Sequence, residues 1–426
     1  MAARVVSGVR DYVHHLRFQR NAWLYLASAI IVGTSLGAFS LLFNFYALSL
    51  GFSKTQVGSF LTFTSLASLL GAFPAGYITD RIGRKRALLL SSVITSLSVL
   101  GLVAWHTLAG FWAMNILRGL AQSLAGVTLG PFLMENSRSE ERTYLFSFNQ
   151  GIQTIAGSVA NWIGGQLPFW IGGAIALAVE TPVVYGWSIV AAAGASFLGL
   201  LPLLLLQPQP TAHQRGEVSL SPFQYTYRHA GQLLRFVAPG LITSLGAGLL
   251  IPFLNIFFNE VHLRSVAEVG ALFSWSSLAM GVGLLLAPPL AERFGKIRIV
   301  VITQALSIPF LILLGFSPWY WVSAVSFLVR AALMNMSNPI YSTFVMEQAA
   351  PEARATVASL MSMSWNLGWT FSPLVSGWLQ ERYGFTPLFV GTIATYVIAI
   401  AMYWAFFMRR KGGAEPAGAA AEEGTP

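Results

Sequence analysis

The chain has 426 residues, of which 55% are hydrophobic and 10% charged, with a mean hydropathy of +0.63. A water-soluble domain carries about 25% charged side chains, so this composition excludes a soluble globular protein. The absence of cysteine excludes disulfides and thiol chemistry, and the formal net charge of +9 raises the question of an anionic partner.

Residues 1–20 form a basic, mildly amphipathic segment. The apolar run that follows, from Trp23 to Leu50, is too long for the core of a cleavable signal peptide. Stretches with no Asp, Glu, Lys or Arg then recur at 21–53, 55–79, 87–117, 143–179, 236–259, 269–291, 299–329 and 383–408. A helix needs about 20 mostly apolar residues to cross a bilayer. The pattern predicts an all-α membrane protein with twelve transmembrane helices. They cover 22–50, 55–79, 87–107, 110–135, 143–168, 183–206, 236–259, 267–290, 299–316, 318–347, 355–380 and 385–408. Trp23, Trp105, Trp112, Trp319 and Trp321 fall near the predicted interfaces, as an aromatic belt does.

The cations fix an orientation. With the N-terminus in the cytoplasm, all but five of the 25 Lys and Arg fall on the cytoplasmic side. Lys54, Arg264 and Arg382 are outside, and Arg118 and Arg330 lie within spans. This is the positive-inside bias, and it predicts a multi-pass membrane protein with both termini cytoplasmic; the 21 Arg against four Lys point to a GC-rich bacterial source, and so to a bacterial inner membrane. It also accounts for the basic charge without nucleic acid.

The chain repeats itself at an offset of 212 residues. Val57-Gly58 meets Val269-Gly270, and Ser65-Leu66-Ala67 meets Ser277-Leu278-Ala279. Asp80-Arg81 meets Glu292-Arg293, Gly83 meets Gly295, and Arg84 meets Lys296. Arg118 meets Arg330, Glu135 meets Glu347, and Arg142 meets Arg354. The expected organisation is a cytoplasmic segment 1–20, a six-helix bundle 21–206, a cytoplasmic linker 207–235, a second bundle 236–408 and a tail 409–426. The small, polar, Pro/Gly-rich composition of the tail predicts disorder. Internal repeats of this kind are typical of secondary transporters, with the solute held between the halves near the membrane midplane.

The stretch "GYITDRIGRKR" at 76–86 is the turn between the second and third crossings. It resembles the signature Gly-x-x-x-Asp-Arg-x-Gly-Arg-Arg/Lys of the major facilitator superfamily, here Gly76, Asp80, Arg81, Gly83, Arg84 and Lys85. The resemblance covers about residues 20–410. It implies two pseudo-symmetric six-helix bundles, alternating access, and a central cavity lined mainly by crossings 1, 4, 7 and 10. It also implies a charge network at the cytoplasmic side that latches the outward-facing state. By resemblance that network comprises Asp80, Arg81, Gly83, Arg84, Glu135 and Arg142, with Glu292, Lys296, Glu347 and Arg354 in the second half.

Arg118 and Arg330 lead the candidates for solute binding or an outer gate. Each sits 17 residues before the interfacial Glu, about 25 Å along a helix, which places it in the outer part of the bilayer. A buried guanidinium is costly and usually functional; the competing reading is a structural arginine bonded to neighbouring helices. Arg118 also resembles the fourth-helix arginine of the drug–proton antiporters, although Gln122 replaces the glycine of that signature. In the fifth crossing "GSVANWIGG" resembles the antiporter motif, with Asn161-Trp162 in place of Gly-Pro. Neutral polar side chains at helical spacing add Asn44, Gln150, Gln153, Asn161, Asn255, Asn335, Asn338 and Trp365. The glycine pairs Gly33/Gly37 and Gly126/Gly130 predict close helix packing.

No Gly-x-x-x-x-Gly-Lys-Ser/Thr loop is present, so ATP drives nothing in this chain. The histidines show no metal-binding spacing beyond the adjacent His14 and His15. No cofactor and no catalytic activity are expected. The reading is a monomeric secondary transporter exporting an amphipathic or hydrophobic, drug-like compound. Alternatives are a carrier for a sugar or organic anion and a lipid or lysolipid translocator. Proton coupling stays open, because no Asp or Glu falls in mid-membrane.

Overall fold

The structure, a computed structural model, describes residues 18–138, 141–207, 229–349 and 354–408. Most of the expected N-terminal segment and linker, and all of the tail bar none, lie outside these residues. Twelve helical segments follow one another among the described residues: α1 Arg20–Ser49, α2 Lys54–Ile82, α3 Arg84–Ala104, α4 Leu108–Glu135, α5 Arg142–Ile175 and α6 Pro182–Leu204. Then come α7 Ala230–Glu260, α8 Val266–Phe294, α9 Lys296–Phe316, α10 Tyr320–Gln348, α11 Arg354–Tyr383 and α12 Thr386–Met408. No strand occurs among the described residues.

Local chemistry sets the helix ends, and it does so twice. Ser53 and Gln56 form a capping box at the start of α2, and Ser265 and Glu268 form the same box at α8. Gly83 and Gly295 end those helices at φ +84° and +86°, a conformation open to glycine and strained for other residues. The chain then re-enters helix at once, so α2–α3 and α8–α9 are tight hairpins. The repeat seen in sequence is thus also a repeat of caps and turns.

Packing repeats as well. In the first half α1 packs on α5 and α6, and α4 on α2 and α3, while α3 also meets α6. In the second half α7 packs on α11 and α12, and α10 on α8 and α9, while α9 meets α12. The halves meet along two pseudo-equivalent pairs, α2 with α11 and α5 with α8.

Among the described residues, nine helices are long and apolar enough to cross a membrane. The remaining three, α5, α10 and α11, are as long but less apolar. They carry Gln150, Gln153 and Asn161, Arg330, Asn335 and Asn338, and Asn366 respectively. Large apolar side chains such as Phe73 and Leu285 are exposed, as a hydrocarbon surrounding allows.

Two expectations need correction. A Cβ on Gly37 would lie 2.5 Å from the Cβ of Ala160, so α1 does press on α5 there. Gly126 and Gly130 have nothing within 4 Å and mark no helix contact. Small residues permit close approach, but the neighbour's position decides whether it happens. The seventh crossing, expected as one run, is broken by a 3₁₀ turn at Ile251–Phe253. Pro252 has no N–H to continue the α-helical ladder.

Candidate functional site: a cavity at the seam between the halves

Every hydrogen bond or ion pair that crosses between the halves, among the described residues, lies from mid-helix to the Lys54 end. Lys54 Nζ donates to Glu260 at 2.6 Å, and its ammonium stands 5.3 Å from the Phe385 ring centre. The backbone N–H and hydroxyl of Thr55 both donate to Glu381, at 2.8 and 2.7 Å. Deeper in, Asn44 Nδ2 donates to the Asn255 side-chain oxygen and to the Pro252 carbonyl, at 3.0 and 2.7 Å. Asn255 Nδ2 returns a bond to the Leu41 carbonyl at 3.0 Å. The break in α7 supplies the free Pro252 acceptor. On the other seam Asn161 donates to Ser277 at 3.3 Å, and the hydroxyls of Ser158 and Ser274 lie 2.9 Å apart.

Beneath this closure lie two adjoining cavities of about 380 and 310 Å³, with Asn161, Ile251, Phe273 and Trp369 in both walls. The first is built on the first half, with Ser40, Phe43, Asn44, Thr64, Ser65, Arg118 and Gln122, and it reaches Asn255 across the seam. The second is built on the second half, with Met280, Phe327, Arg330, Asn335, Asn338, Trp365 and Tyr396. Neither wall contains an Asp or Glu.

Arg118 and Arg330 are the charged residues of these walls, and both are buried, at 9% and 3% exposure. Arg118 donates from Nη2 to Thr64 and to Asn115, at 3.2 and 3.1 Å. Its guanidinium carbon lies 5.0 and 5.6 Å from the ring centres of Phe39 and Phe43, within cation–π range. Arg330 donates from Nη2 to the Tyr396 hydroxyl at 2.9 Å. The Nε of each arginine is buried with no acceptor. The repeat therefore places one arginine in each cavity.

Of the neutral candidates, Asn44, Asn161, Asn255, Asn335, Asn338 and Trp365 line a cavity. Gln150 and Gln153 are exposed on α5 and line neither. Sequence reasoning did not find Phe273, Trp369 or Tyr396. Trp369 follows Trp365 at helical spacing, which is a usable signal. Tyr396 has none, because its role depends on where α12 lies against α10.

At the opposite, basic end, the charged side chains pair only within each half among the described residues. Arg84 bonds Asp80 at 2.8 Å and Glu135 at 3.2 Å, and Lys296 pairs with Glu347. Arg354 Nε donates to the Met346 carbonyl at 3.0 Å. Arg81, Arg142 and Glu292 make no ion pair among the described residues. Gly83 serves as the hinge between α2 and α3.

The fold agrees with comparisons to known proteins. The chain is 26% identical over 432 residues to the multidrug resistance protein MdtG of Enterobacter lignolyticus (strain SCF1), covering 93% of this chain and 94% of that protein. It is 23% identical over 395 residues to the multidrug efflux protein YfmO of Bacillus subtilis (strain 168), covering 89% and 91%. It is 28% identical over 154 residues to the cis,cis-muconate transport protein of Acinetobacter baylyi (strain ATCC 33305 / BD413 / ADP1), a match spanning 35% of this chain and only 36% of that relative. Among solved structures, the nucleoside transporter NupG superposes with a TM-score of 0.72 at 16% identity, covering 92% of this chain and all of NupG. The D-xylose–proton symporter gives 0.72 at 15%, covering 93% and 98%. The sequence pattern of the Major Facilitator Superfamily matches residues 25–237 and 236–426, nearly the whole chain in two copies. With its two six-helix halves, its twofold packing and its seam cavity, the chain belongs to the Major Facilitator Superfamily.

Proposed function

We propose that this secondary transporter exports a small amphipathic or hydrophobic organic compound by alternating access. The observation that carries the reading is the seam cavity. Its walls are mostly aromatic and aliphatic, with scattered amides and hydroxyls, and the halves close over one of its ends. Such a surface accepts apolar bodies of varied shape and orients them with a few polar contacts. The multidrug relatives named above, matched over about nine-tenths of this chain, support it.

The cation bias supports a cytoplasmic location for the basic end. The carrier is then in an inward-facing form, with the Lys54 end as its closed outer gate. In the outward-facing form the charges around Arg84 and Lys296 exchange partners within a half for partners across the seam. The cavities contain no carboxylate for a proton to load, so any proton coupling uses a group elsewhere.

Transport by proteoliposomes containing the purified protein tests the reading. A lipophilic fluorescent dye is expected to move saturably and faster than across protein-free vesicles, and Trp369→Ala is expected to raise the KM. Equal rates with and without protein, across dyes of differing charge, would sink it.

A further inference from the structure

We propose that Arg118 and Arg330, one in each of the adjoining cavities, each receive an anionic group, a carboxylate, sulfonate or phosphate, on an otherwise apolar solute. The inference rests on the carrier reading above and narrows its solute class.

Lys54, Arg84, Arg264 and Lys296 sit at helix ends, partly open to solvent, and each has an acid beside it. Arg118 and Arg330 are more deeply buried, and among the described residues neither has an acid within ion-pair distance. Unpaired burial is the costlier arrangement, so the pattern is the reverse of what stability alone selects. Their only hydrogen-bond acceptors among the described residues are neutral oxygens, reached from Nη2 alone. The Nε of each has none.

The surroundings hold the guanidinium groups without neutralising them. Thr64 and Asn115 fix Arg118, and Tyr396 fixes Arg330. The aromatic faces of Phe39 and Phe43 further orient Arg118. Both arginines reach the cavity walls, so an arriving anion meets a pre-oriented planar donor. With no carboxylate in either wall, nothing competes with that anion. The shared aromatic wall of Phe273 and Trp369 receives the apolar body. Because the arginines belong to different halves, the anionic solute is the missing counter-charge of a site divided by the moving seam.

A matched trio on one ring system provides the test: 2-naphthoate, its primary amide, and 2-naphthylmethylammonium. Thermal stability of the full-length purified protein is measured against the concentration of each. Only the carboxylate is expected to raise the melting temperature, with a smaller shift in Arg118→Gln or Arg330→Gln and no response in the double variant. Arg118→Lys and Arg330→Lys keep the charge and are expected to retain part of the response. Without ligand, the Gln variants are expected to melt at or above the wild-type temperature, since they remove an uncompensated charge. A structural role predicts the opposite, a lower melting temperature. Stabilisation by the amide or the ammonium equal to that by the carboxylate overturns the anion receptor and leaves the carrier reading intact. So does a carboxylate response that survives in the double variant. No response to the carboxylate also overturns it, and the dye flux described above then decides the carrier reading separately.

Discussion

Gly165 of α5 and Gly270 of α8 meet backbone to backbone across the seam. A Cβ on Gly270 would lie 2.6 Å from the Gly165 Cα and 2.5 Å from the Asn161 carbonyl oxygen. These distances leave no room for a methyl group unless the helices separate. Gly270→Ala is therefore expected to hold the Lys54 end open. The chain's lack of cysteine makes the measurement direct. A single Ser40→Cys in the cavity wall should label faster with an impermeant maleimide added from the Lys54 side when Gly270→Ala is present. Unchanged labelling would show that the Lys54 end still closes with the added methyl in place.

The Asn44–Asn255 pair closes the other part of the same region. Both side chains are buried; Asn44 donates to the Asn255 side-chain oxygen, and each also donates to a backbone carbonyl across the seam. Asn44→Leu leaves buried polar groups without partners, at an expected cost of about 1–3 kcal/mol. Asn255→Leu should cost a similar amount, and the double variant less than the two together. Reversible unfolding in mixed micelles measures all four corners of the cycle, and strict additivity would mean that the amides do not act as a pair.

The surface ion pairs should matter less. Lys54–Glu260 is partly exposed, with 41% of the Glu260 side chain accessible. Glu260→Gln is expected to change stability by less than about 1 kcal/mol, and the change should shrink in high salt. Arg84 serves two acids and Lys296 one. Arg84→Ala should therefore lower the melting temperature more than Lys296→Ala, and an equal loss would make the second contact of Arg84 idle.

His262 gives a pH dependence. It lies in the turn between α7 and α8, against the rings of Phe257, Phe258 and Tyr320. Burial, and then the nearby Arg264 charge, push its imidazole below the ordinary value of 6.5. The folded protein thus binds this proton less readily than the unfolded chain does. Its stabilising contribution is complete above pH 6.5 and declines as pH falls through the lowered folded-state value. Wild type should lose stability over that interval relative to His262→Phe. Parallel pH profiles of the two proteins would remove His262 from the account.

Much of this architecture is legible in the sequence because membranes enforce simple rules. Apolar run length gives the crossings, and the 212-residue offset gives the two halves. Arg118 and Arg330 are conspicuous because a charge in an apolar run is costly. Their surroundings are less legible. Tyr396 and Phe273 become neighbours of the site only through helix placement, and a polar stripe does not name the space it faces. Gln150 and Asn161 share such a stripe on α5, yet only Asn161 lines the cavity. The α7 break is written in Pro252, but the acceptor it frees for Asn44 is a tertiary fact.

The shared wall of the two cavities has a consequence for how binding is read. Asn161, Ile251, Phe273 and Trp369 come from α5, α7, α8 and α11, so the binding surface exists in full only when the halves stand in one relation. The measured dissociation constant then equals the intrinsic one divided by the fraction of carriers in that relation. A residue outside both walls, such as Gly270, is expected to shift that fraction. Apparent affinity in this carrier is a thermometer of its conformational balance as much as a record of contacts.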